Sequence, residues 1–123
     1  MAIKELRPHL RSDDFLDQIK LQQREGYTLA YFENEDGIQA ACGFRIATFL
    51  AWGKVFYIDD LITIEAARGQ GLGGMLLTWM ISQARSHNCN AVHLDTGHHR
   101  HDAHRLYLSH GFKISSHHLS LEI

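Results

Sequence analysis

Arg68-Gly69-Gln70-Gly71-Leu72-Gly73-Gly74 stands between an apolar, strand-like run and an amphipathic helical pattern. Four glycines within six positions free the backbone to approach a ligand closely. The helix that follows directs unpaired N–H groups and the positive end of its dipole at the same spot. Arg68 adds a fixed positive charge at the entrance. Such a loop suits a diphosphate. A plain strand-to-helix turn would not need it, because glycines weaken a helix start unless the exposed backbone has a use.

The loop can be divided in two ways. Gly69, Gly71 and Gly74 satisfy a GxGxxG dinucleotide pattern, and Asp95 follows about 20 residues later, where a ribose-binding acid would stand. That reading predicts an NAD-binding oxidoreductase. Against it, Glu65-Ala66-Ala67-Arg68 separate the strand from the first glycine, other elements precede the unit, and only 28 residues follow Asp95. Those residues are too few for the rest of a doubly wound sheet. The other division counts Gly71 and Gly73 from Arg68, in a loop that leaves a strand in mid-chain.

Outward from the loop, the pattern alternates between helix and strand. Ser12, Asp13 and Asp14 form an N-cap and acidic first turn, Phe15, Leu16 and Ile19 share a face, and Gly26 supplies a stop. Tyr27 to Glu33 and Ile38 to Ala47 read as strands around the turn Asn34-Glu35-Asp36-Gly37. Val55 to Ile64 is apolar on both faces, which predicts a central strand. Leu72, Met75, Leu76, Trp79 and Met80 recur at helical spacing up to about Ser86. Ala91 to Asp95 is a short buried strand, Ala103 to His110 a helix closed by Gly111, and Phe112 to Ile123 a terminal strand with one break. The order predicts an α/β sandwich with a mixed sheet flanked by helices.

Composition narrows the partners. A chain of 123 residues is expected to form a single domain, residues 1–123, with one core. A net charge of −2 gives no clustered excess of Lys and Arg to hold nucleic acid. No window has the length and apolarity of a membrane span, and Lys4, Glu5 and Arg7 stand where a secretory signal would place its apolar stretch. Cys42 and Cys89 have no metal-type spacing and read as reduced thiols, so the expected location is the cytoplasm.

The second division of the loop, together with Ala103, Leu106, Tyr107, Gly111 and Phe112, resembles the GNAT superfamily of acetyl-CoA-dependent N-acetyltransferases. The likeness runs from the hairpin to the C-terminus. It implies that the amides of Arg68, Gly69, Gln70, Gly71, Leu72, Gly73 and Gly74 carry the pyrophosphate of acetyl-CoA. It implies also that main-chain groups of Leu61, Ile62 and Thr63 pair with the pantetheine arm like an added strand. Tyr107 falls at the family's tyrosine position, where the hydroxyl protonates the leaving thiolate; on the sequence alone a core aromatic would serve as well. Arg100 stands where many members carry Asn in contact with the cofactor, a departure that leaves Arg able to reach a phosphate.

Asp59 and Asp60 form the second informative pair. Two carboxylates in a central apolar strand are costly to bury, and neighbours in a strand normally face opposite sides of a sheet. A carboxylate can hold an ammonium and accept its proton before attack on a thioester. Acidic pairs here resemble those of polyamine acetyltransferases, with Asp59 as base and Asp60 as amine anchor, or the reverse. An ion pair with Arg45 or Lys54 would account for them structurally. Asp95, at a strand end that bears a catalytic Glu in some ribosomal-protein acetyltransferases, is a rival base, or a cap for the next loop.

Ten histidines include a group, His98, His99, His101 and His104, with no acid or cysteine to complete a tetrahedral set, so no metal is expected. Trp52 and Trp79 read as core or cleft-wall packing. Met1 to Arg11, interrupted by Pro8, is too short for the edge strand that opens the family's fold. Either that strand is absent or the chain is truncated; if it is absent, the hairpin strand Tyr27 to Glu33 would be an open edge suited to homodimerisation. The resulting expectation is acetyl transfer to a small cationic primary amine. A peptide or protein N-acetyltransferase and a non-catalytic CoA-binding regulator remain alternatives.

Overall fold

The computed structural model describes residues 12–123. Among them, four strands form one sheet in the order β1-β2-β3-β4: β1 is Tyr27–Asn34, β2 Gly37–Phe49, β3 Gly53–Thr63 and β4 Ala91–Leu94. The first three run antiparallel as a meander, and β4 joins β3 in parallel. Among the described residues three α-helices accompany the sheet: α1 Ser12–Arg24, α2 Leu72–Ser86 and α3 His101–Ser109. The missing-edge-strand expectation concerns residues outside those described.

Each sheet face has its own apolar cover. Phe15 and Ile19, one turn apart on α1, close over Tyr27, with Leu29 and Ile62 beside them. On the other face Leu76, Leu77, Met80 and Ala84 of α2 bury against Ala40, Cys42, Phe44, Phe56 and Ile58. Phe44 and Phe56 stack there with centroids 4.4 Å apart. Burial in this layer pushes the Cys42 thiol up to about 12, so it stays a neutral packing group.

The central position of β3 agrees with the apolar residues on both its faces, since it lies between β2 and β4. The short strand β4, expected to be buried, has Ala91 exposed and its other residues part-covered, because it is an edge strand among the described residues. Two further details differ from the sequence reading. Met75 and Trp79 are 43% and 40% exposed, while Leu77 and Ala84 are buried, so the contact stripe of α2 is turned away from the expected one. The second difference is the segment Phe112 to Ile123, which is not a strand. Leu119, Leu121 and Ile123 keep an alternating pattern but are exposed, because alternation makes a strand only where a backbone partner completes a ladder.

Candidate active site

Two interruptions of regular pairing shape the site. Parallel pairing between β3 and β4 extends only from Val55↔Ala91 to Ile58↔Leu94. Beyond Ile58 the strand continues to Thr63 with β2 on one edge, through Cys42↔Leu61, Ala41↔Ile62 and Ala40↔Thr63. Its opposite edge has no strand beside it among the described residues. Leu61, Ile62 and Thr63 thus lie where two neighbouring strands part.

The second interruption is a bulge at the same place. Gly43 pairs with Asp60 and Phe44 with Ile58, which leaves Asp59 as an extra residue in β3. The expected alternation of Asp59 and Asp60 across the sheet is therefore corrected. Arg45 donates to Asp59 Oδ2 from Nε at 2.9 Å and from the terminal guanidinium nitrogen at 2.6 Å. Tyr27 Oη donates to Asp60 Oδ2 at 2.8 Å. Tyr27 and Arg45 are cross-strand partners, so the two acids meet side chains from one face, the face covered by α1. The ion pair between Arg45 and Asp59 weighed from the sequence is present, while Asp60 is buried at 8% exposure.

Asp95 follows β4 directly and lies nearby in the strand framework. It accepts a hydrogen bond from Tyr57 Oη and sits 3.4 Å from His118 Nδ1. Burial, and next the Asp95 contact, raise the Tyr57 phenol well above its ordinary range, so it remains a donor. Thr96 carries a buried hydroxyl without a hydrogen-bond partner among the described residues.

The open edge of β3 leads through a short 3-10 turn, Glu65–Ala67, into the glycine loop. Gly69 and Gly71 take φ of +84° and +78°, a left-handed backbone that other residues adopt only with strain, and Gly71 is the N-cap of α2. A Cβ at either would project into open space. Gly73 and Gly74 differ: Leu106 of α3 lies 3.5 and 3.7 Å from where their Cβ atoms would be. A Cβ at either would make ordinary van der Waals contact with Leu106, so α3, the helix that carries Tyr107, passes near the first turn of α2 without requiring glycine there. Arg68 donates from Nε to the carbonyl of Thr63 at 3.3 Å and so bridges loop and strand end. Gln70 is exposed at the turn, and Leu72 is the first residue of α2.

Tyr107 packs against the α2-side core with its ring 5.7 Å from Phe112. Burial raises its phenol above the ordinary tyrosine value, opposed by the charge of Arg100, the N-cap of α3. The hydroxyl therefore keeps its proton at neutral pH. His101 and His104 share a turn of α3 with rings 6.3 Å apart, and His104 Nε2 lies 2.8 Å from the carbonyl oxygen of Gly97. Among the described residues no three or more His, Cys, Asp or Glu side chains converge as a metal site would require. Trp52 and Trp79 are half exposed; Trp52 packs on Phe49 and His93, and Trp79 meets Phe44 edge-on.

The sequence profile of the Acetyltransferase (GNAT) family matches residues 2–112. The chain belongs to the GNAT acetyltransferase family. It is an acyltransferase by that membership. Among GNAT relatives, the uncharacterized N-acetyltransferase YhdJ of Bacillus subtilis (strain 168) is 34% identical over 93% of this chain and 82% of its own length. The aminoalkylphosphonate N-acetyltransferase of Salmonella typhimurium is 40% identical over 58 residues, 47% of this chain and 38% of that protein. A structure named as a transcriptional regulator from Bacillus halodurans C-125 superposes with a TM-score of 0.80 at 27% identity, covering 94% of this chain and 79% of that one. An acetyltransferase of Trypanosoma brucei shares the GNAT fold with a TM-score of 0.76 at 24% identity, over 93% and 81% of the two chains.

Tyr27, Gly43, Tyr57 and His118 are residues of this face that the sequence reading passed over. Gly43 did carry a signal: a glycine inside an apolar strand marks a bulge or a close approach, and it does both. The tyrosines carried none, because their partners lie 33 and 38 residues away.

Proposed function

We propose that the protein, acting as one domain, transfers acetyl from acetyl-CoA to a small cationic primary amine by direct attack in a ternary complex. The observation that carries this reading is the open edge of β3 after Ile58, which runs into a glycine-rich helix start and has Asp59 and Asp60 at its beginning. Main-chain groups of Leu61, Ile62 and Thr63 suit an extended amide-bearing arm. The amides from Arg68 to Gly74, with the α2 dipole behind them, suit its diphosphate. Arg68 and Arg100 supply positive charge beside it.

In this reading the acceptor binds on the α1 side, against Asp59, Asp60 and Asp95. One carboxylate holds the ammonium, and another, directly or through water, takes its proton. Tyr27 and Tyr57 donate neutral hydrogen bonds to Asp60 and Asp95, His118 lies 3.4 Å from Asp95, and Arg45 offsets the charge of Asp59. The freed amine nitrogen attacks the thioester carbonyl carbon and the carbon–sulfur bond breaks. Strand amides near Ile62 and Thr63 polarise the oxygen, and Tyr107 gives its proton to the thiolate. The primary amine agrees with the substrate class in the name of the Salmonella relative.

The test is release of free thiol from acetyl-CoA across n-butylamine, 1,4-diaminobutane, 2-aminoethylphosphonate and an alanine-initiated tripeptide. Turnover of 1,4-diaminobutane above the others is the expected result. Turnover confined to the tripeptide would replace the small amine by a peptide N-terminus, and no turnover with any amine would reject the proposal. A cytoplasmic location and a homodimer joined along β1 belong to the same proposal; a monodisperse monomer at high concentration in light scattering would remove the dimer.

Gly71→Ala offers a check on the loop. A methyl group there protrudes into the space assigned to the diphosphate, and the left-handed backbone costs roughly 1–2 kcal/mol. The KM for acetyl-CoA is expected to rise at least about fivefold with the amine KM little changed. An unaltered acetyl-CoA KM would remove Gly71 from the cosubstrate site.

A further inference from the structure

We propose that Tyr27 is a positioning residue for amine binding, acting through Asp60, and that Gly43 exists to let it reach. This rests on the assignment of Asp60 to the acceptor amine. Tyr27 is the first residue of β1, and Asp60 lies two strands away on β3. Gly43 of β2 is the direct partner of Asp60 and lies between them. A Cβ built on Gly43 would overlap the hydroxyl and ring of Tyr27, so the phenol crosses β2 only because that side chain is missing. The crossing ends in the 2.8 Å bond to Asp60 Oδ2.

The phenol is held on every side that matters to its direction. Phe15 and Ile19 of α1 cover its ring, Leu29 and Ile62 flank it, and the Arg45 guanidinium carbon stands 5.9 Å from its centroid. Burial, then the neighbouring Asp60 charge, holds the phenol protonated far above its ordinary range. It is therefore a donor at every working pH and never a base. A donor with a fixed ring fixes one oxygen of Asp60 and thereby the direction of the carboxylate. The cross-strand pair Tyr27 and Arg45 thus orients both acids of the bulge, one by a neutral bond and one by an ion pair. A side chain set in this way keeps its charge aimed at the ammonium without rearrangement during binding.

The experiment is a double-mutant cycle with Tyr27→Phe and Asp60→Asn, using whichever amine of the panel above turns over fastest. Tyr27→Phe keeps the ring under Phe15 and Ile19 and removes only the donor. It is expected to lower kcat/KM for the amine by about ten- to a hundredfold, with the KM for acetyl-CoA unchanged within about twofold. Asp60→Asn alone should cost at least as much, and adding Tyr27→Phe to it should cost no more than about twofold further. Equal additive losses in the two backgrounds, or an equal rise in both KM values, would mean a merely structural tyrosine and overturn the proposal. A harmless Tyr27→Phe beside a damaging Asp60→Asn would also overturn it while sparing the role of Asp60. A harmless Asp60→Asn would overturn the underlying assignment. Circular-dichroism melts of each variant confirm that folded protein is compared, and Tyr27→Met, an adaptable side chain with no hydrogen-bond donor to offer Asp60, repeats the test should Tyr27→Phe melt early.

Discussion

Tyr107→Phe is expected to lower kcat for acetyl transfer by about a hundredfold or more and to leave the dissociation constant of acetyl-CoA within about twofold. The substitution keeps the ring against Phe112 and the α2-side core, so packing is preserved and only the hydroxyl is lost. The native phenol is held protonated by burial, and the charge of Arg100 works in the opposite direction, easing proton release. A group so placed is suited to giving a proton to a developing thiolate and contributes little to binding the intact thioester. Stopped-flow turnover and equilibrium binding of acetyl-CoA measure the two quantities separately. Parallel loss of both would make Tyr107 a binding or packing residue, and loss of neither would leave the thiolate to depart unprotonated.

Phe56→Ala is expected to lower the stability of the fold by about 3–5 kcal/mol. Phe56 is fully buried, stacked on Phe44, and carried by the strand that pairs with both β2 and β4. Truncation removes the transfer free energy of the ring and leaves a cavity between sheet and α2 that a parallel strand pair cannot easily close. Urea denaturation, with the midpoint and slope fitted separately, gives the loss. A change below about 1 kcal/mol would mean that this layer repacks freely. Because β3 also carries the two acids, the same variant tests whether the site depends on the core beneath it.

What the sequence made legible was local. The hairpin, the central strand, the α2 helix and the glycine loop follow from periodicity and from glycine at positions where a left-handed backbone is needed. The roles within the loop divided less simply, since only Gly69 and Gly71 answer to positive φ, while Gly73 and Gly74 have ordinary backbone and room for a Cβ beside Leu106. The geometry of Asp59 and Asp60 was hidden because a bulge is a property of register, and register depends on the partner strand. The contacts of Tyr27 and Tyr57 were hidden for the same reason. Leu119, Leu121 and Ile123 misled in the opposite direction: their alternation is real, and the ladder it suggested is absent.

The bulge also has a modular character. Ile58 faces Phe44 and Asp60 faces Gly43, and Phe44 and Gly43 are consecutive. Excising the single codon for Asp59 would therefore join two halves of a ladder already in step, with Leu61 still turned to α2 and Ile62 to α1. The extra carboxylate is thus accommodated at a single step of the ladder that leaves the facing of both apolar layers unchanged.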